Sequence, residues 1–397
     1  MAIGSSQYAF GLFVEPLHDE FGWNRTQITA SLSFTAIGSL LSPFIGRLMD
    51  QHGARRIIFV CIALVGSSFV LRPFMSELWH WYALSFLQFV GFQGASALPA
   101  GRLVGIWFSK TRGRVMGIAA MGNNFGGLVV PPIVAAVITL TSWRGGYIAL
   151  AVMALFVLIV AIFLIKEFPS ASDLARRDGV KTGPARSDDS RPALVLTGWT
   201  VREALRTRAF YAITVAVLLG TFTYSTILPQ ITAHLTSNDV SPTAAALALS
   251  GVAVMGMGGK LTLGFLAERI TTRFTLMIDL LAQAAILTLM VLAPTQTIMI
   301  VSVPLFGFFM GGFGALFQLI VQETFGVRYF GSIMGLVSMT TIVSFGVGPI
   351  LAGASFDRTD SYQFAFLTVA VLFALGASCL TLANKPSRSE AETAVAG

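Results

Sequence analysis

Charge is what this sequence has least of. Of its 397 residues, 11% are Asp, Glu, Lys or Arg, where soluble domains carry about 25%, so much of the surface faces something other than water. Cysteine is nearly absent: the two present, Cys61 and Cys379, sit in apolar runs, which excludes a disulfide framework. The four histidines (His18, His52, His80 and His234) lie in or near loops without metal-ligand spacing, so no metal centre is expected. "GMGGKL" looks like part of a phosphate loop. However, Val254 stands where G-x-x-x-x-G-K-[ST] needs its first glycine, and Leu261 follows the lysine. No catalytic constellation and no cofactor motif remain, and the chain does not read as an enzyme. A basic n-region is also missing, so the first apolar run is no cleaved signal peptide.

What the chain has instead is hydrophobic length. Residues of apolar type make up 55%, and the mean hydropathy is +0.76. Runs of about 20 residues, each long enough to cross a ~30 Å hydrocarbon core, fall at 2–17, 27–48, 57–74, 79–108, 113–139 and 143–165. Six more follow at 207–234, 243–267, 274–293, 297–322, 329–351 and 362–383. The expected fold is therefore an all-α membrane protein of twelve spans, divided as residues 1–166, a polar linker 167–206, residues 207–384 and a tail 385–397. The linker ("SASDLARRDGVKTGPARSDDSRP") is too polar to have much core of its own. Of the 26 Lys and Arg, twenty fall in loops on the linker's side, and only Arg25, Arg72, Arg144 and Arg358 on the other. Excess Lys/Arg in short loops marks the cytoplasmic face. A multi-pass protein of the cytoplasmic (inner) membrane is expected, with both ends of the intact protein inside. The +7 net charge is then topological, and its expected partner is the lipid bilayer rather than nucleic acid.

The two halves repeat one another at an offset of 218 residues. Gly46 of "GRLMDQHGARR" falls on Gly264 of "GFLAERITTR", Asp50 on Glu268, Met116-Gly117 on Met334-Gly335 and Pro131 on Pro349. Parallel six-helix repeats about an axis along the membrane normal are a transporter architecture. The same offset puts the start of the first span about ten residues before Met1, so the first helix is expected to be truncated here.

"GRLMDQHGARR", with its weaker second copy, resembles the signature loop of the major facilitator superfamily. The resemblance covers nearly the whole chain. It implies the twelve-helix major facilitator fold, two six-helix bundles related by a pseudo-two-fold axis. It also implies a cytoplasmic gate in which Gly46 permits close helix approach and Asp50 works with Arg55 and Arg56. Gly264, Glu268 and Arg269 are the counterparts in the second half. Within the superfamily, "FGLFVEPLHDEFGWNRTQIT", "WFSKTRGRVMGIAAMGNNFGG" and "FGVGPILAGASFDRTDSYQFAF" are similar to the monocarboxylate transporter and oxalate–formate antiporter group.

Two cations stand inside spans, Lys260 and Arg102. Lys260 falls where that group carries a basic residue in span 8, and the resemblance implies that it holds the substrate's carboxylate. Depth gives a separate reason. Lys260 is eight residues from Glu268, or about 12 Å along a helix, and Arg102 lies as far from Lys110 in the opposite half. Ionisable groups so deep in a membrane are functional candidates; each could equally pair with a helix-end acid or a carbonyl. Asn123, Asn124, Gln318, Tyr8 and Tyr224 are the polar residues that could complete a binding site, or bond between helices. Glu15, Asp279 and Glu323 read as solvated acids near helix ends.

Two departures narrow the resemblance. The acid the group often has four residues before the span 8 cation is Gly256 here, which speaks against proton coupling through such a pair. Span 11 has no lysine, which favours a monocarboxylate over a dicarboxylate. The expectation is a secondary transporter of a small carboxylate, acting as a monomer with a proton or an exchanged anion as its other partner. The alternatives are a carrier of drug-like compounds or sugars, a channel, or a non-transporting anion sensor. Proton-coupled drug exporters show "RxxQG" in span 4, where Val90 precedes Gln93-Gly94.

Overall fold

A computed structural model describes residues 9–108, 111–170, 173, 196–293 and 295–385. Among them the chain is almost entirely helical. Span 1 is Gly11–Phe21, and Tyr8, a candidate site residue, lies outside the described residues. Spans 2, 3, 5 and 6 are Arg25–His52, Ala54–Phe74, Arg112–Leu140 and Trp143–Leu164. Spans 7 to 12 are Arg208–Thr236, Pro242–Arg269, Thr272–Val291, Gln296–Phe325, Phe330–Thr359 and Gln363–Leu382. These ten are each long and apolar enough to cross a bilayer. Span 4 is split into Leu78–Gly94 and Ala97–Trp107. The interruption falls at "QGASALP", where Ala95 leaves helical geometry and Ser96 is extended ahead of the second helix.

Short hydroxyl residues start several spans. Thr207, Ser241, Thr271 and Thr295 each accept a bond from the backbone N–H three residues on, satisfying a donor the helix itself leaves orphaned. Asn24 occupies the same position before span 2, where Gln27 Oε1 accepts from its backbone N–H at 2.8 Å. Asn24-Arg25-Thr26 is thus a helix start. Span 7 is interrupted by a π-helical turn over Thr223–Ile227, a feature that concentrates at functional sites.

Large apolar side chains such as Leu140, Phe163, Leu164 and Ile350 point outward, as a lipid-facing surface requires. Inside, one core comprises Phe13, Phe69, Trp81, Val134, Trp143 and Tyr147 of the first half, at the ends of the spans away from the linker. The larger core belongs mainly to the second half. On the linker side it also takes in Ile45, Met49, Leu98, Val104 and Met116 from the first. The halves are therefore pressed together on that side. The linker's last residues join the seal. Trp199 N donates to Phe325 O (2.8 Å) and Val327 N to Thr197 O (3.2 Å), around Gly326 at φ 79°. A Cβ at Gly326 would meet the Thr197 carbonyl oxygen.

Candidate functional site

The repeat is written into the contacts between the halves. Gly46 of span 2 faces Gly331 of span 11 so closely that a Cβ on either would overlap the other's carbonyl oxygen. Gly264 of span 8 and Gly113 of span 5 stand in the same relation. Moving 46 and 331 by 218 residues, forward and back, gives 264 and 113, so the two contacts are images of one another. One turn further in, Gly335 abuts the Ser42 carbonyl and Gly117 the Lys260 carbonyl, again images. Still further along spans 5 and 11, Cβ atoms at Gly122 and Gly346 would meet open space. Small residues let backbones touch, and these four contacts between the halves lie on the linker side.

Acids fasten both contacts. The Asp50 carboxylate accepts from Gly331 N (3.0 Å), Ser332 N (2.7 Å) and Ser332 Oγ (2.7 Å), at the start of span 11. Glu268 does the same at the start of span 5, accepting from Arg114 N (2.8 Å) and Arg114 Nε (2.7 Å). Unpaired amides and the helix dipole make each helix start a site for negative charge. Asp50 and Glu268, related by the repeat, thus occupy equivalent positions at the two contacts. The partners of Asp50 differ from the expected ones. Arg55 donates to Ile162 O (3.0 Å) and lies over Phe59, Arg56 is exposed, and Arg269 stacks on Phe265.

The cation beside Asp50 is Arg102. Its side chain is 4% exposed, bonded to Asp50, with Nε 3.5 Å from Glu167 Oε1. Glu167 in turn accepts from Ala54 N (3.0 Å) and Arg55 N (2.8 Å) at the start of span 3. Arg102 therefore takes the second of its two sequence readings, partnership with helix-end acids, and is not brought together with Lys260. Gln318 is buried beside Gly101, in the same layer as Arg102. Asn123 is exposed and makes no side-chain bond among the described residues.

Lys260 and Asn124 do meet. Lys260 Nζ donates to Asn124 Oδ1 (2.5 Å) and to Ala120 O (3.1 Å), reaching from span 8 to span 5 across the two halves. The residue is half-buried, and among the described residues no carboxylate pairs with it. Gly256, one turn earlier, is turned into span 10, where a Cβ would lie 3.1 Å from Gly307 O, so that position presents no acid to the lysine. Tyr224, in the π-helical turn, donates to Met310 O (3.0 Å).

Two charged residues sit in surroundings that differ from the expected ones. Arg72, expected in a loop, is 2% exposed. It donates to Tyr147 OH (2.8 Å), Ser85 Oγ (3.1 Å) and Gln88 Oε1 (2.7 Å) and lies 4.2 Å from the Trp81 ring centroid. Asp279, expected to be solvated, is fully buried and accepts from Gln283 Nε2 at 2.9 Å. Glu15 is exposed as expected and pairs with Arg25. Glu323 accepts from Thr272 N (3.2 Å) at the start of span 9.

A family model described as Major Facilitator Superfamily matches residues 1–238 and again 210–397. Monocarboxylate transporter 12 of Mus musculus is 27% identical over 351 residues, covering 83% of this chain and 71% of that protein. The hexuronate transporter of Bacillus subtilis (strain 168) is 22% identical, covering 96% and 92%. A probable sulfoacetate transporter of Cupriavidus necator is 24% identical, covering 91% and 86%. Among solved structures, the E. coli fucose:proton symporter FucP superposes with a TM-score of 0.70 at 16% identity, covering 97% of this chain and 98% of that one. The proton:xylose symporter XylE gives 0.72 at 12%, covering 95% and 92%.

Proposed function

The chain belongs to the major facilitator superfamily, and from that premise we propose that it is a secondary active transporter of a small organic anion, above all a monocarboxylate. The observation that carries the reading is Lys260. It is a half-buried ammonium in span 8 whose bonding partners among the described residues are two neutral oxygens. Arg72 is also held by neutral acceptors and rings alone, but it is fully buried with several of them. Lys260 stays half-exposed with two acceptors for its three donors, so a substrate carboxylate can reach it and supply the counter-charge. Lys260 is the primary contact, with Asn124 beside it and Tyr224 in the interrupted helix of span 7. The relatives give independent support, because monocarboxylates, hexuronates and sulfoacetate all bear a carboxylate at neutral pH.

Transport proceeds by alternating access. Residues 1–166 and 207–384 rock as two bodies, and the paired contacts of Gly46 with Gly331 and Gly264 with Gly113 close the linker side. Asp50, Arg102 and Glu268 hold that side shut through charge-assisted bonds. The Lys/Arg excess assigns it to the cytoplasm of an inner membrane. The unit of transport in this proposal is the monomer. The hexuronate relative, matched over 96% of this chain, favours one second reading: a sugar acid, held by the same ammonium through its carboxylate.

Reconstitution in liposomes tests the proposal. Labelled formate, L-lactate, pyruvate, benzoate and a hexuronate are offered with and without a pH gradient, and with the unlabelled anion inside. Saturable carboxylate flux is the expected result. Flux driven by the pH gradient indicates a proton as the partner, and flux requiring internal anion indicates exchange. Flux of neutral sugars or lipophilic cations with none of the carboxylates rejects the reading.

A further inference from the structure

Lys260 lies one turn in from the tightest crossing of spans 5 and 8, that of Gly264 with Gly113. Its carbonyl abuts Gly117, and its ammonium reaches Ala120 O and Asn124 Oδ1. Positions 120 and 124 are one helical turn apart and share a face of span 5. The lysine of one half therefore staples itself to the other half, next to the closed linker side.

The repeat provides an internal control on whether the fold requires this staple. Position 42 is the image of 260, and its carbonyl meets Gly335 just as Lys260 O meets Gly117. Yet among the described residues Ser42 Oγ bonds only within its own helix, to Gly38 O at 3.3 Å. Backbone contact is thus present in both copies, while the side-chain staple is present in one. Close packing of the halves does not depend on it.

We infer that Asn124 and the Ala120 carbonyl are stand-ins for the substrate's carboxylate: they hold Lys260 when the site is empty and are displaced when the anion binds, releasing one tie across the linker-side gate. The inference rests on the reading of Lys260 as the carboxylate's partner. An ammonium has three donors and no acceptor, and a carboxylate adds ion–ion attraction to the charge-assisted bond that a neutral amide oxygen already gives it. A carboxylate entering beside Lys260 therefore outcompetes the amide oxygen of Asn124. The loaded carrier then opens its linker side with one tie fewer than the empty carrier. Asn124 is on this account a positioning residue and competitor, not a ligand of the anion.

A competitor and a ligand predict opposite signs. Affinity is measured by equilibrium binding to the purified protein, using whichever of formate, L-lactate, pyruvate and benzoate binds the unmodified chain most tightly. Asn124→Ala removes a competing acceptor, so that anion should bind about three- to tenfold more tightly, a fraction of a charge-assisted bond. Asn124→Asp installs a fixed acid against Lys260, and affinity should fall by about tenfold or more. In liposomes, the ratio of anion exchange to net efflux should exceed one in the unmodified protein. It should drop in Asn124→Ala, because the empty carrier is no longer stapled. Weaker binding in Asn124→Ala makes Asn124 a ligand and overturns the inference, as does an unchanged affinity. Should Asn124→Ala not accumulate, undiminished affinity in Asn124→Asp overturns it equally. Lys260→Ala separates the two levels. If that variant binds the anion normally, the reading of Lys260 has failed. If it loses binding while Asn124→Ala also weakens it, only the stand-in role has failed.

Discussion

Replacing Gly46 by alanine should open the linker side. The added Cβ would overlap the Gly331 carbonyl and lie 3.1 Å from Ser332 N, so backbone, not a flexible side-chain end, stands in its way. Relief requires spans 2 and 11 to separate by roughly 1.5 Å, since ordinary contacts of this kind begin near 3.4 Å. Forced overpacking costs about 1–3 kcal/mol. One turn on, the Asp50 bonds to Gly331 N and Ser332 N lengthen with the same movement. At 1.4 kcal/mol per factor of ten, the closed-to-open ratio should fall by about ten- to a hundredfold. Spin labels at Gln51→Cys and Arg328→Cys, both exposed on the linker side, read this as a distance distribution. A background with Cys379→Ser keeps the label to these sites, Cys61 being buried. The parent should give one short distance, and Gly46→Ala a second, longer one. Gly264→Ala should act alike through Gly113, whereas Gly122→Ala, which meets open space, should change nothing. A narrow, unshifted distribution with full transport in Gly46→Ala would refute the reasoning.

Other perturbations follow from the same contacts. Asp50→Asn strands Arg102, whose remaining acid is Glu167 at 3.5 Å. Unpairing a buried ion typically costs about 3–5 kcal/mol, so the variant should melt earlier in detergent and populate the longer Gln51–Arg328 distance. Adding Arg102→Met should recover part of the loss, and strict additivity of the two changes would contradict the pairing. Arg72→Lys should destabilise by about 1–3 kcal/mol per acceptor left unpaired, because an ammonium cannot reproduce the planar fork that serves Tyr147, Ser85 and Gln88. A melting temperature equal to the parent's would show that charge alone matters there. Gly326→Ala, at φ 79° and against the Thr197 carbonyl, should loosen residues 197–199, measured as faster amide exchange at Trp199.

Much of the architecture was legible because the bilayer imposes it. Hydrocarbon thickness sets the length of each apolar run, and the loops must carry the charge. The 218-residue offset went further: it related Gly46 to Gly264 before any contact was known, and both sit at the crossings between halves. The split in span 4 was missed, because "GFQGASALPAG" remains apolar and composition hides a break in helical geometry. Which of the two readings of Arg102 holds was not legible, for another reason. Its acids, Asp50 and Glu167, are distant in sequence and come beside it only when spans 2, 4 and 6 assemble. Arg55 and Arg56, though adjacent to the loop's acid in sequence, follow the start of span 3 and turn elsewhere. Asp279 lies only seven residues into span 9, and nearness to a helix end was mistaken for solvation. Lys260 and Asn124, by contrast, were both singled out from polarity and depth, and folding joins them.

Equilibrium binding to Lys260→Ala decides whether Lys260 holds the substrate's carboxylate. The anion should bind about ten- to a hundredfold more weakly, the worth of one charge-assisted contact of 1.5–3 kcal/mol, in a variant that still inserts and elutes as the parent does. Lys260→Arg should retain part of the affinity, since the charge remains while its geometry changes. Undiminished carboxylate affinity in a correctly folded Lys260→Ala would contradict the account.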